Sequence, residues 1–207
     1  TSDGGYIISA STYSSASFDV TGTNKRASDI WILKINASGV KQWDKIYGGN
    51  LEDEPFSIRE TAGGGYIITG STRSSMSGDV TGTNSGQSDA WIIKLDASGN
   101  KLWDKLYGAA FNDVAYDVVQ MPDLGYMVVG GMGSGTISAI WRLDSSGALQ
   151  WQRQYGNGSL VSIKPTSDSK FIVGGTRSGT TGYDTTNGST DFWIMKIDSM
   201  GDFEWIP

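Results

Sequence analysis

The sequence predicts an all-β chain made of about four copies of one four-stranded antiparallel sheet. Three observations carry this reading. Segments recur along the chain every 50 to 60 residues, each copy breaks into short β-rich runs, and glycine is abundant (29 of 207 residues) while proline is scarce (4). Abundant glycine without a three-residue period fits many tight turns between short strands.

The recurrence is the primary signal. Gly-Gly-Tyr-Ile-Ile-Ser at 4–9 returns as Gly-Gly-Tyr-Ile-Ile-Thr at 64–69, as Leu-Gly-Tyr-Met-Val-Val at 124–129 and as Ser-Lys-Phe-Ile-Val-Gly at 169–174. Asp-Ile-Trp-Ile-Leu-Lys-Ile at 29–35 returns at 89–95 and 191–197, with a shorter Ala-Ile-Trp-Arg-Leu at 139–143. A second tryptophan follows each time, at Trp43, Trp103, Trp151 and Trp205. Trp31 to Trp91 spans 60 residues and Trp91 to Trp141 spans 50, so the third copy is shortened. The repeats run approximately 1–50, 51–110, 111–157 and 158–207 within a single domain, 1–207.

Within the second copy, the runs 56–61, 65–70, 90–95 and 101–107 read as four strands, separated by Gly, Asn or Asp. Asp96-Ala97-Ser98-Gly99 is a hairpin turn that recurs at 36–39, 144–147 and 198–201. No window sustains the 3.6-residue period of an amphipathic helix. Repetition of four short strands is the pattern of β-propeller blades. One such sheet has two apolar faces and hides them only by leaning on its neighbours, which explains why Trp91-Ile92-Ile93 is continuously apolar. The first copy opens without an innermost strand and the last ends soon after Trp205. The expected architecture is therefore part of a larger ring, or an open arc.

These residues resemble the secreted bacterial β-propeller repeat proteins, whose blades read Asp-Gly-Gly-Tyr-Ile-Val … Asp-x-Trp-Val-x-Lys-Leu-Asp … Trp-x-Lys-x-Tyr-Gly-Gly. The matching segments are Asp3 to Thr12, Asp29 to Gly39 and Trp43 to Gly49, and again Gly64 to Gly108. The resemblance covers essentially the whole chain. It weakens in the third copy, where a long loop is missing and Arg142 stands in place of an apolar residue. It implies a propeller and a bacterial extracellular or cell-surface setting, and no single activity.

Composition narrows the chemistry. Without cysteine or histidine there are no disulfides, no thiol nucleophile and no imidazole base or ligand. The net charge is −6 with scattered cations, which argues against nucleic acid, and no stretch nears the roughly 18 apolar residues of a membrane span. No signal peptide is visible and the chain opens Thr1-Ser2-Asp3, so a mature or excised segment is expected.

The most distinctive loops precede the Asp-x-Trp strands. Asp19, Asn24 and Asp29 in the first, with Asp79, Asn84 and Asp89 in the second, supply oxygen ligands of the kind calcium takes. The alternative is an ordered turn in which the Asn and Asp side chains bond nearby backbone amides. The spacing matches no EF-hand or glycine-rich calcium repeat. Most aromatic residues recur at repeat positions and read as packing between blades. Tyr13, Phe18 and Tyr183 lie in loops instead and are candidates for a ligand-binding rim. Glu52, Asp53, Glu54, Asp113 and Asp117 lie near strand starts and are the carboxylates a glycan hydrolase would need, although nothing in the sequence pairs them. Ala62-Gly63-Gly64-Gly65 reads as a turn, because no helix follows it.

The expectation is thus a non-catalytic extracellular binding or adhesion module for a glycan or protein ligand, with no required cofactor and calcium as the one candidate ion. The alternatives are a structural spacer or assembly subunit that self-associates through its open terminal blades, and a carboxylate-based hydrolase.

Overall fold

In the computed structural model, which describes residues 1–178 and 190–205, the chain forms four antiparallel sheets stacked in sequence order. The first blade holds β1 (Tyr6–Thr12), β2 (Asp29–Ile35) and β3 (Lys41–Tyr47). The second holds β4 (Asp53–Glu60), β5 (Tyr66–Thr72), β6 (Asp89–Leu95) and β7 (Lys101–Tyr107). The third holds β8 (Val114–Gln120), β9 (Tyr126–Met132), β10 (Ile137–Leu143) and β11 (Leu149–Gln154). The fourth holds β12 (Gly158–Pro165), β13 (Phe171–Ser178), β14 (Thr190–Ile197) and β15 (Phe203–Trp205). Each strand pairs with the next within its blade, and there is no helix among the described residues.

The first strand of each complete blade begins earlier than its apolar alternation implies, because it carries a bulge. The register slips between Pro55 and Ser57, between Ala115 and Asp117, and between Leu160 and Ser162. The extra residue breaks the two-residue alternation and turns Phe56 and Val161 outward. Phe56 then meets Tyr116 of the next blade edge-on at 5.0 Å.

The core lies between blades. Ile30, Ile32 and Tyr47 of the first blade pack on Tyr66, Ile68, Trp91 and Ile93 of the second. Ile67, Ala90 and Ile92 of the second pack on Tyr126, Val128, Trp141 and Leu143 of the third. Met127, Val129 and Ile140 of the third pack on Phe171, Val173, Trp193 and Met195 of the fourth. Because successive strand residues point to opposite faces, one continuous apolar strand serves two seams.

A repeated grip locks each seam near the outer strand. Tyr47 donates its hydroxyl to the Gly99 carbonyl, Tyr107 to that of Gly147, and Tyr155 to that of Gly201. The tryptophan of the same outer strand lies on the same turn. A Cβ on Gly99 would come within 2.8 Å of the Trp43 ring, one on Gly147 within 2.9 Å of Trp103, and one on Gly201 within 2.9 Å of Trp151. The turn glycine is therefore needed twice over, for its positive φ (+78° at Gly99) and for the room it leaves the ring. On the inner strands, Asp117 ties three blades together. It accepts hydrogen bonds from Ser57 and Arg59 of the second blade and from the Ile163 amide and Lys164 of the fourth.

Two readings of the third copy need correction. Trp141 is opposite Val128, as Ile93 is opposite Ile68, so it is not the register partner of Trp91. Ala139 takes that place, opposite Gly130 as Trp91 is opposite Gly70. Two residues along a strand is the same face, and the Trp141 ring reaches back over Gly130 into the same seam. Arg142 replaces the repeat's lysine and no apolar residue. It bonds the Leu143 carbonyl and Asp123, as Lys34 bonds the Ile35 carbonyl and Asp3.

Replacing the fully buried Trp91 by alanine is expected to cost about 3–5 kcal/mol in urea unfolding. Leu102→Ala, on the exposed side of β7, should stay within about 0.5 kcal/mol of the parent. Equal losses at the two positions would contradict a core placed between the sheets.

Candidate functional site

The β1–β2 and β5–β6 loops form one rim of the stack. Each begins with a tight turn, in which the Val20 amide bonds the Ser17 carbonyl at 3.1 Å and the Val80 amide that of Ser77 at 3.0 Å. Each is then fastened to its own blade by a buried carboxylate on the outermost strand. Asp104 accepts from the Thr81 amide at 3.0 Å, the Thr81 hydroxyl at 2.9 Å, the Trp91 indole at 3.0 Å and Lys101 at 2.8 Å. Asp44 repeats this with Thr21, Trp31 and Lys41. Burial works to raise the Asp44 pKa, but these donors outweigh it and bring it down to about 2. Asp104 is likewise held below the usual carboxylate range.

The asparagines act as loop fasteners. Asn24 donates to the Thr12 and Ala27 carbonyls and accepts from the Arg26 amide, and Asn84 donates to the Thr72 carbonyl and accepts from the Gly86 amide. Asp29 accepts from the Lys25 amide at 2.7 Å and Asp89 from the Ser85 amide at 3.0 Å, each fixing the start of a strand. These are the bonds of an ordered turn. Asp19 is exposed, and its backbone carbonyl accepts from Lys41. Asp79 crosses the seam to pair with Lys25 and to accept from the Gly48 amide, so the two loops are joined. The six calcium candidates thus carry turn and seam bonds, and among the described residues there is no group of three or more His, Cys, Asp or Glu side chains that could hold a metal ion.

Two pairs of buried acids span neighbouring blades instead. Asp29 and Asp53 both face the Cα of Gly48, where any Cβ would strike their oxygens. Asp89 and Asp113 do the same at Gly108, at 2.5 and 2.7 Å from the position a Cβ would take. The second oxygen of Asp29 and that of Asp89 are buried without a hydrogen-bond partner. Asp53 accepts from the Gly49 amide at 2.7 Å and from the Thr72 hydroxyl. Burial, with the Asp29 charge added, raises the Asp53 pKa from 3.8 to about 6. Asp29 and Asp89 are also raised, first by burial and then by the neighbouring Asp79 and Asp113 charges respectively.

Among the rim candidates, Tyr13 is 77% exposed and Phe18 is fully exposed, while Tyr183 lies outside the described residues. Of the carboxylates considered for hydrolysis, Asp53 and Asp113 belong to the buried pairs, and Asp117 is committed to its cross-blade bonds. Glu52 and Glu54 line a small cleft of about 250 Å³ with Phe56 and Arg73. A larger cleft, of about 950 Å³, opens between the third and fourth blades on Leu124, Trp151, Phe171 and Met200, with Arg142 and Lys170 on its polar side. Asp44 and Asp104 escaped sequence reasoning, although the Trp-Asp-Lys triplet they share in both copies was a usable signal.

No family model matches this chain. It is 30% identical over 95 residues to the regulatory protein FlaEY of Caulobacter vibrioides, a match covering 44% of this chain and 10% of that protein. The chain therefore spans about a tenth of the length of that relative.

A raised pKa in the folded state means that Asp53 favours folding while protonated, and its contribution is lost as pH climbs from 3.8 through about 6. Measured against Asp53→Asn, the urea midpoint of the parent should fall as pH rises between those limits. An identical slope in the variant would remove Asp53 as a titrating group.

Proposed function

We propose that this chain is a non-catalytic binding module, an arc of β-propeller blades that presents its loop rim to a glycan at a bacterial cell surface. The observation that carries this is Phe18. Its ring is fully exposed, and its backbone is held at φ +53°. The matching position of the second loop is Gly78, at φ +58°. A left-handed conformation at a non-glycine residue costs on the order of 1 kcal/mol, and an exposed ring recovers none of that by packing. Strain without stabilisation is the mark of a residue retained for contact.

The surroundings fit a sugar. Tyr13 adds a second exposed ring on the same loop, and Ser14, Ser15 and Ser17 supply hydroxyls around it. The Asp44 and Asp104 anchors hold the loops to rigid strands, as a preorganised site requires. The hydrolase alternative has little support, because Asp117 is saturated with donors and the buried candidates Asp53 and Asp113 each face another acid across a seam. An assembly role is compatible with ligand binding.

A glycan array probed with the parent and with Phe18→Gly tests the reading. The glycine variant should keep its stability, or gain up to about 1 kcal/mol, while array binding falls at least about tenfold. Silence of the parent on the array, or binding that survives Phe18→Gly, would falsify it.

A further inference from the structure

The short turns of the blades lie at the end of the strands away from the loop rim, and at the first two seams a polar latch joins them. At the first seam the Ser2 amide and hydroxyl donate to the Glu60 carboxylate at 2.6 and 2.7 Å. At the second the Ala62 amide donates to the Gln120 side chain at 2.7 Å. At the third seam both halves of the latch are proline. Pro122 follows Met121, whose amide bonds the Gly125 carbonyl as that of Thr61 bonds Gly65, so it takes the place of Ala62 and has no N–H to give. Pro165 stands opposite Phe171 as Gln120 stands opposite Tyr126, so it takes the place of the acceptor. The cleft at this seam is about 950 Å³, against about 440 Å³ at the first.

Two further replacements make the wider cleft apolar. Leu124 holds the turn position of Gly4 and Gly64, at φ +67° where they have +77° and +82°. A left-handed backbone strains a leucine, and the side chain is 52% exposed, so packing does not offset the strain. Met200 holds the place that Ser38, Ser98 and Ser146 take in the other three turns, and it is 56% exposed. Both line the cleft with Trp151 and Phe171, and a thioether adapts readily to an aromatic face. The charged side chains of the wall are engaged within the chain. Arg142 pairs with Asp123, Lys170 pairs with Glu204 at 2.5 Å, and Asp144 accepts from the Ser146 and Ala148 amides at 2.8 and 2.9 Å.

We propose that the third-seam cleft is a binding site for a small, uncharged aromatic molecule. Its volume falls within the roughly 300–1,000 Å³ of ligand pockets, and its apolar wall with few polar groups is of their kind. A flat ring would displace water from Leu124, Trp151, Phe171 and Met200. A charged group would lose its hydration there and find the ions of the wall already paired. The site is independent of the glycan reading, since the loop rim is at the other end of the strands.

Methionine methyl NMR with β-naphthol, a neutral fused ring, tests the proposal, and β-naphthalenesulfonate presents the same rings with a charge. The Met121 and Met200 methyl signals, both from the cleft wall, should shift saturably with a Kd below about 1 mM, while the exposed Met76 on the rim loop stays in place. The sulfonate should bind at least about fivefold more weakly. Leu124→Gly with Met200→Ser restores the residues of the other copies, and Pro122→Ala with Pro165→Gln restores the latch of the second seam. Met121 reports on both pairs. Each should keep the parental melting temperature and bind β-naphthol at least about tenfold more weakly, and either one decides the matter where the other loses that temperature. The absence of a saturable shift overturns the proposal. So do equal shifts at Met76, equal affinity for the sulfonate, and a folded variant pair that binds like the parent.

Discussion

The structure depends on one constraint: every sheet is apolar on both faces, and no sheet can hide both faces by itself. Stacking resolves this, and it resolves it with the same residues each time. Ile67 and Ile68 are neighbours in β5, yet they belong to two different seams. An apolar seam alone fixes neither register nor tilt, because dispersion contacts tolerate sliding. The grip of Tyr107 and Trp103 on the Gly147 turn adds that specificity, with a hydrogen bond to one carbonyl and a ring that fits only a turn lacking a Cβ. It explains why Trp, Tyr and a glycine turn recur together at fixed spacing along the chain.

The polar anchors form a second repeated unit, present only where the long loop is present. In the first two blades a loop threonine, an outer-strand aspartate and an inner-facing tryptophan share one set of bonds. In the third blade the loop is cut short and Gln152, which stands where Asp104 does, bonds the Met132 sulfur instead. The tryptophan moves two residues along its strand, and its indole nitrogen is left buried without a partner. Loop, acceptor and indole bond disappear together in the third blade, while in the fourth Trp193 keeps the register place of Trp91 with its indole nitrogen buried and unpartnered. The buried acid pairs follow a similar rule. Asp29 and Asp89 each end a long loop, and each faces an acid at the start of the next blade's first strand. The Tyr-Gly step after β3 and β7 is the space those carboxylates need.

Much of the fold was legible in the sequence because its dominant forces are periodic. Short strands, turn glycines and paired tryptophans all leave a local trace, and all were readable at 64–69, 89–95 and 101–107. The misreadings had physical causes. Trp141 was matched by residue type, but a two-residue slip keeps a side chain on the same face, so composition could not reveal the register. Arg142 was compared with an apolar neighbour because the shortened copy hid its alignment with Lys94. In the candidate site, the acids that Asp29 and Asp89 face, Asp53 and Asp113, lie 24 residues on in the following repeat. Nothing local records a contact made across a seam. Asn24 and Asn84, whose partners are within their own loops, conformed to their turn reading.

The differences between copies lie mostly outside the seams. Between the first two loops, Tyr13 stands against Arg73, Ala16 against Met76, Phe18 against Gly78 and Lys25 against Ser85. Over the same span, the seam and anchor positions Thr21, Asp29, Trp31, Trp43, Asp44 and Tyr47 are matched identically by Thr81, Asp89, Trp91, Trp103, Asp104 and Tyr107. A chain whose only task was to stack would have no physical reason to vary its loops in this way, least of all by placing an exposed phenylalanine where its own second copy uses glycine. Rigid seams leave Tyr13, Phe18 and Arg73 free to change without cost to packing, because these side chains are exposed, while Val80 of the same loops stays in the core. Variation confined to the tips, on anchors that stay constant, is the arrangement by which one scaffold carries several contact surfaces, and it makes the two rims chemically distinct within a single molecule.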